Sequence, residues 1–335
     1  MAADPVRIAV IGGTGIEALE HRGFRHVAEL HVETPWGAPS SPIHVLTPVG
    51  GGEAIAFLSR HGPHHELAPS EVPSRANMAA LRSLGVRSVL AFSAVGSLQP
   101  HIRPRDFVLP DQIIDRTKGV RPSTFFDDGI VAHVGFADPF DDGLRRVVAR
   151  AATEVLRGGA EAGSEGIERA EGADGPEGTG GGEEQAGREE GPRLHLDGVV
   201  VCMEGPAFST RAESALYRAW GGSVINMSAL PEAKLAREAE MAYAMVCMST
   251  DYDCWKTDEP PVNVATVIAT MHRNAETAKH LTAAVLRQLT DPAHRTLVHA
   301  EHLAGSTKAA SCTAAPGLKP AAIERIRFLF PGFFD

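Results

Sequence analysis

Short apolar runs that each stop abruptly at glycine, serine or a charged residue constrain this chain more than any other feature. Residues 7–11 (RIAVI) run into Gly12-Gly13-Thr14-Gly15, residues 54–58 (AIAFL) into Ser59-Arg60-His61-Gly62, and residues 88–92 (SVLAF) into Ser93-Ala94-Val95-Gly96. Residues 197–203 (DGVVVCM) and 241–248 (MAYAMVCM) repeat the pattern, and the last run leads to Asp251 and Asp253 on either side of Tyr252. Each has the length of a buried strand, and helical stretches are expected over residues 70–84, 143–156, 211–220, 231–240 and 262–289. Strands alternating with helices predict an α/β sheet, in which ligands sit beyond the carboxyl ends of the strands.

The residues at those strand ends have a common chemistry. Glycines after the first run let backbone N–H groups approach an anion, and Thr14 adds a hydroxyl. The dinucleotide-binding pattern is not met, because Ile16, Glu17 and Ala18 stand where a third glycine is wanted. Arg60 can fork onto an oxyanion beside His61. His61, His64 and His65 also invite a metal, but Gly62-Pro63 would break the helix needed to put His61 and His65 on one face, so none is expected. Residues 93–98 read as a small-residue turn, which either packs closely or points the Ser93 hydroxyl and backbone amides at a ligand. With Ser228 on a further turn, so many donors after strands suit phosphate better than a carboxylate. Asp251 and Asp253 would repel phosphate. They should therefore address another part of the ligand, and a nitrogen heterocycle can exchange protons with them. Phe208 is placed to stack on such a flat ligand.

Composition bounds the class. The chain has 335 residues, 43% of them hydrophobic, and a mean hydropathy of −0.09, which suits a soluble globular protein. No apolar run approaches the ~20 residues that span a bilayer, and the start lacks a signal-peptide pattern, so a location inside the cell and away from membranes is expected. Cys202, Cys247, Cys254 and Cys312 are far apart and read as reduced, buried thiols. The formal net charge of −10 is concentrated in residues 158–192, where ten acidic residues face only Arg169 and Arg188. That stretch also holds twelve glycines and reads as a disordered insertion in a surface loop. The rest is near neutral, and no nucleic-acid partner is expected. By helical periodicity, the stripe of Val264, Val267, Ile268 and Met271 reads as core. The apolar end, residues 326–334, should dock on the domain or on a neighbouring subunit.

Taken together, GGTG, SRHG, SAVGSL, DQIIDRTKGVRPSTFF, MEGPAFSTRAE, WGGSVINMSALPE and STDYDCW resemble the methylthioadenosine phosphorylases of the purine nucleoside phosphorylase superfamily, over residues 7–156 and 198–289. The ordered set is specific, whereas each motif alone is weak. The resemblance implies one α/β domain with a mixed, partly barrel-like central β-sheet flanked by helices, assembled as a homotrimer in the cytoplasm, with the nucleus as a second location. It implies phosphorolysis of 5′-methylthioadenosine, with inorganic phosphate as co-substrate and no cofactor. Carried over by motif, Thr14, Arg60, His61, Ser93, Ala94 and Ser228 would hold phosphate. Phe208 and Met227 would border base and ribose, while Val264, Val267 and Ile268 would wall the 5′ end. His133 and Leu329 would reach in from the adjacent subunit. Asp251 would protonate N7 and Asp253 orient the 6-amino group, and the acid should carry a raised pKa. A phosphorylase of inosine or guanosine, a dinucleotide-dependent oxidoreductase and a non-catalytic nucleotide binder are the alternatives.

Overall fold

The computed structural model describes residues 6–12, 22–168 and 191–335. In them one sheet is built from β1 (Ile8–Gly12), β2 (Phe24–Leu30), β3 (Ile43–Pro48), β4 (Ile55–Ser59), β5 (Ser88–Ser97), β6 (Phe107–Val108), β7 (Gln112–Arg116), β8 (Leu194–His195), β9 (Val199–Met203), β10 (Val224–Asn226) and β11 (Ala242–Asp251). The longer helices are α1 (Ser74–Ser83), α2 (Asp142–Glu168), α3 (Arg211–Ala219), α4 (Glu232–Glu238), α5 (Val264–Leu289) and α6 (Pro320–Leu329).

Successive side chains of a strand point to opposite faces, and here both faces are covered. Ala9 and Ile11 of β1, with Tyr243, Met245 and Cys247 of β11, enter one apolar cluster with α1, α4 and α6. Ile8 and Val10, with Ala242, Ala244 and Val246, enter a second cluster with α2 and α5. This two-sided burial is why the strand sequences are apolar without interruption.

The sheet is mixed, and its branching positions the site. β5 pairs in parallel with β1 as far as Ala91, opposite Ile11, and in parallel with β11 along its other edge as far as Gly96. From Gly96 it takes β10 as an antiparallel neighbour on the side that β1 has left. Residues 92–95 therefore have no strand partner on that edge among the described residues. Backbone groups alternate between the two edges, so the Ala94 N–H faces the same edge as the Phe92 carbonyl.

Several expectations change. Residues 93–97 are strand, not turn, because β11 continues alongside them. The first helix starts at Ser74 rather than at residue 70, because Pro73 occupies its N-cap. The second runs on to Glu168, so the opening part of the expected insertion is helix, and residues 169–190 lie outside the described residues. Cys202, Cys247 and Cys254 are buried thiols, but Cys312 is exposed. The stripe on α5 is not core: Val264 is 62% exposed, Ile268 48% and Met271 38%. The tail docks on its own domain, where Ala322, Ile326, Leu329 and Phe333 pack with Met78 and Leu81.

Candidate active site

Beyond the ends of β4, β5, β10 and β11 lies a cavity of about 760 Å³, within the roughly 300–1,000 Å³ of small-molecule sites. Arg60, His61, Ser93, Ala94, Phe208, Met227, Ser228, Asp251, Asp253 and Val267 all line it.

One end is built to meet an oxyanion. Arg60 is only 4% exposed. Its Nε and Nη2 donate to the two oxygens of Glu232, each at 2.8 Å, and Nη1 donates to the Phe92 carbonyl at 2.9 Å. A guanidinium has five N–H groups, so two remain for a ligand. Glu232 is fixed in turn by the Tyr243 hydroxyl, which donates to it at 2.7 Å. The Ser93 and Ser228 hydroxyls lie 2.8 Å apart, and Asn226 Nδ2 donates to Ser93 at 3.2 Å. His61 Nδ1 donates to the Leu67 carbonyl at 2.9 Å, which leaves Nε2 as its other polar atom. Burial holds the ring below its ordinary pKa, so donation from Nε2 requires it to take up a proton.

The other end holds the two acids. Asp251 closes β11 and is 7% exposed; Thr250 Oγ1 donates to one of its oxygens at 2.7 Å and the Asp253 N–H to the other at 2.7 Å. Burial outweighs those bonds and pushes its pKa up to about 6, with the charge of Asp253 acting in the same direction. Asp253 is 6% exposed, sits at φ 53°, and is likewise raised, chiefly by burial. Gly96 makes room for the pair. A Cβ there would lie 3.0 Å from Asp251 Oδ1 and 3.3 Å from Asp253 Cβ. Trp255 Nε1 donates to the Ser97 carbonyl at 2.8 Å and ties this strand end to β5.

Between the ends the walls are apolar. Phe208 is 40% exposed at the rim. Met227 packs over Gly205, whose φ of 72° favours glycine; a Cβ there would fall 2.3 Å from the Met227 sulfur, so the methionine would have to shift. Met203, Pro206, Met248, Val262 and Met271 complete the wall, and sequence reasoning had not assigned them to the ligand.

Some expected members are elsewhere. Thr14 lies outside the described residues. Val264 and Ile268 are not in the wall, because one turn of α5 directs Val267 and Met271 inward while the other two face solvent. Leu329 is 3% exposed in its own chain's core, which removes it as a wall for a neighbour's pocket. His133 is exposed, its N–H donating to the Ala310 carbonyl at 3.0 Å, and it does not border this cavity. Among the described residues no group of three or more His, Cys, Asp or Glu is placed to hold a metal ion.

Such an arrangement can hold an oxyanion at one end of an apolar slot and deliver a proton at the other. Residues 7–287 match the model of the phosphorylase superfamily. The chain is 58% identical to the S-methyl-5′-thioadenosine phosphorylase of Tuber melanosporum, over 99% of this chain and 98% of that one. It is 55% identical to the protein of that name from Emericella nidulans, over 99% and 85%. Among solved structures it resembles a methylthioadenosine phosphorylase from an Antarctic soil metagenomic library, with TM-score 0.78, 36% identity and coverage of 98% and 100%. A mutant adenosine/methylthioadenosine phosphorylase of Schistosoma mansoni, in complex with methylthioadenosine, aligns with TM-score 0.73 and 31% identity over 91% and 98%.

Proposed function

The chain belongs to the phosphorylase superfamily, and from that premise we propose that it cleaves 5′-methylthioadenosine with inorganic phosphate, giving adenine and 5-methylthioribose 1-phosphate. One observation carries the reading. A buried carboxyl with a pKa of about 6, Asp251, shares a single pocket with the oxyanion donors Arg60, Ser93 and Ser228.

A phosphate oxygen attacks C1′ of the sugar as the C1′–N9 bond breaks, and the electron pair of that bond passes to the purine. Asp251 places its proton on N7, so the base leaves neutral. Phosphate at the Arg60 end stabilises the oxocarbenium character of the sugar, and that interaction strengthens only as the bond breaks. Thr250 and the Asp253 N–H orient the acid, and Asp253 meets the 6-amino group. Val267, Met271 and Val262 offer the 5′-methylthio group an apolar wall with no partner for a hydroxyl. Phosphate is the co-substrate, and no step requires a further cofactor. A 6-oxopurine would meet two carboxyls where an amide donor is wanted, which disfavours inosine and guanosine.

The exposed Val264 and Ile268 beside the pocket mouth support assembly into a homotrimer, in which His133 of one subunit approaches the pocket of the next. No helix among the described residues is long and apolar enough to cross a membrane. A place in the cytoplasm, and in the nucleus as well, fits a phosphorylase of small nucleosides. The test is stoichiometry. Adenine release should require phosphate and consume one phosphate per adenine; release at the same rate without phosphate rejects phosphorolysis.

A further inference from the structure

Two arginines lie buried behind the oxyanion end, and counting their donors separates them. Arg60 keeps two N–H groups for a ligand. Arg121, 7% exposed, keeps none. Its Nε donates to Glu204 Oε1 at 2.5 Å, Nη1 to the carbonyls of Met227 at 2.6 Å and Leu230 at 2.7 Å, and Nη2 to the carbonyls of Glu204 at 2.5 Å and Met203 at 3.3 Å. All five donors of the guanidinium are thus engaged within the chain.

We infer that Arg121 is a positioning residue: it clamps the turn carrying Met227 and Ser228 onto the end of β9, and so sets where the sugar and phosphate meet the protein. The inference rests on the proposed phosphorolysis. The turn has no regular pairing after Asn226, where β10 ends. Its carbonyls at Met227 and Leu230 are drawn to one planar cation whose other donors grip Met203 and Glu204, the last residue of β9 and the next. Glu204 is fixed independently, because its second oxygen accepts the Lys118 N–H at 2.7 Å. The anchor is therefore rigid and the turn is the element held. Met203, Met227 and Ser228 all border the pocket, so the clamp acts one bond away from ligand. Between the two arginines lies a cavity of about 10 Å³, about the size for one water, lined also by Ser228 and Glu232. An unclamped turn has that space to move into.

Lysine cannot replace this clamp, since its three donors radiate from one nitrogen and cannot span five acceptors. In full-length Arg121→Lys, KM for methylthioadenosine and for phosphate should each rise about tenfold or more, a loss in keeping with a displaced binding group. Adenine binding, measured by calorimetry, should stay within about twofold, because the polar edge of adenine is held by the acids of β11, whose position does not depend on the turn. Glu204→Gln keeps the four carbonyl contacts but offers one amide oxygen where the carboxylate accepted both Arg121 Nε and the Lys118 N–H, so it weakens the clamp at its charged end. It should shift both KM values about threefold in the same direction, and it supplies the reading if the lysine variant does not fold. Unchanged KM values in either folded variant, or adenine affinity lost in the same proportion, overturn the clamp. If the wild-type protein turns over no methylthioadenosine, the proposed function fails instead. The clamp is then read from phosphate affinity alone, where the same weakening is expected and its absence rejects it.

Discussion

Replacing Asp251 by asparagine separates its role in catalysis from its burden on stability. Burial moves this carboxyl from its ordinary 3.8 to about 6. At about 1.36 kcal/mol per pH unit, keeping it ionised in the fold costs about 3 kcal/mol. The sign follows from linkage. The folded-state pKa is the higher one, so the group's contribution is fully present below 3.8 and is lost as pH rises through about 6. Roughly half of that loss develops between pH 5 and pH 8. The asparagine variant does not titrate. Its amide offers one oxygen where the carboxylate accepted both the Thr250 hydroxyl and the Asp253 N–H, a defect of about 1–3 kcal/mol that is the same at every pH. Thermal unfolding at matched protein concentration should therefore show the variant gaining about 1.5 kcal/mol on the wild type from pH 5 to pH 8, or about 2 °C for a chain of this length. Adenine release should fall by about 10²–10⁴-fold over the same range. A stability gap that does not change with pH, or turnover that survives, would refute the argument that Asp251 is the buried, protonated acid.

Two other buried acids give further tests. Glu232 is 3% exposed and its carboxylate neutralises Arg60, so Glu232→Leu should destabilise the protein by about 3–5 kcal/mol in urea unfolding, and a near-neutral effect would mean that Arg60 finds another partner. Glu238 is raised by burial from 4.5 to about 7 while accepting from Thr124 Oγ1 and the Phe125 N–H. Its contribution is lost as pH rises through about 7, so Glu238→Gln should remove up to about 3 kcal/mol from the fall in stability between pH 5 and pH 9, and an unaltered slope contradicts the assignment. Exchanging residues 169–190 for a glycine–serine linker of equal length should leave turnover unchanged, and its loss would give that acidic stretch a role in the site.

What could be read in advance was decided by local chemistry. The apolar runs mark strands because both faces of the sheet are covered, and the glycines, serines and acids after them mark a ligand site because strand pairing runs out there, as on the β1 side of residues 92–95 and at Asp251, the last residue of β11. Arg60, Ser93, Ser228, Asp251 and Asp253 were accordingly legible, and the structure brings them to one cavity. Glu232 and Arg121 were not. Each stands in a motif noted for its resemblance, but the Arg60 partner of Glu232 lies 172 residues away and the partners of Arg121 lie between 82 and 109. Helical periodicity identified the apolar face of α5 but could not say that Val267 and Met271 would wall a pocket while Val264 and Ile268 face solvent, since a stripe meant for core and a stripe left uncovered have the same spacing. Leu329 failed for a related reason: an apolar chain end docks where an uncovered groove exists, and α1 of its own domain provides one.

In the proposed reaction, two carboxyls at the end of β11 select a 6-amino purine and the wall around Val267 selects a methylthio group. Measuring kcat/KM for methylthioadenosine and for inosine side by side, at saturating phosphate, addresses both at once. A preference for methylthioadenosine of at least about 100-fold is expected from the mispaired polar groups that inosine would bury. Equal rates, or a preference for inosine, would contradict it.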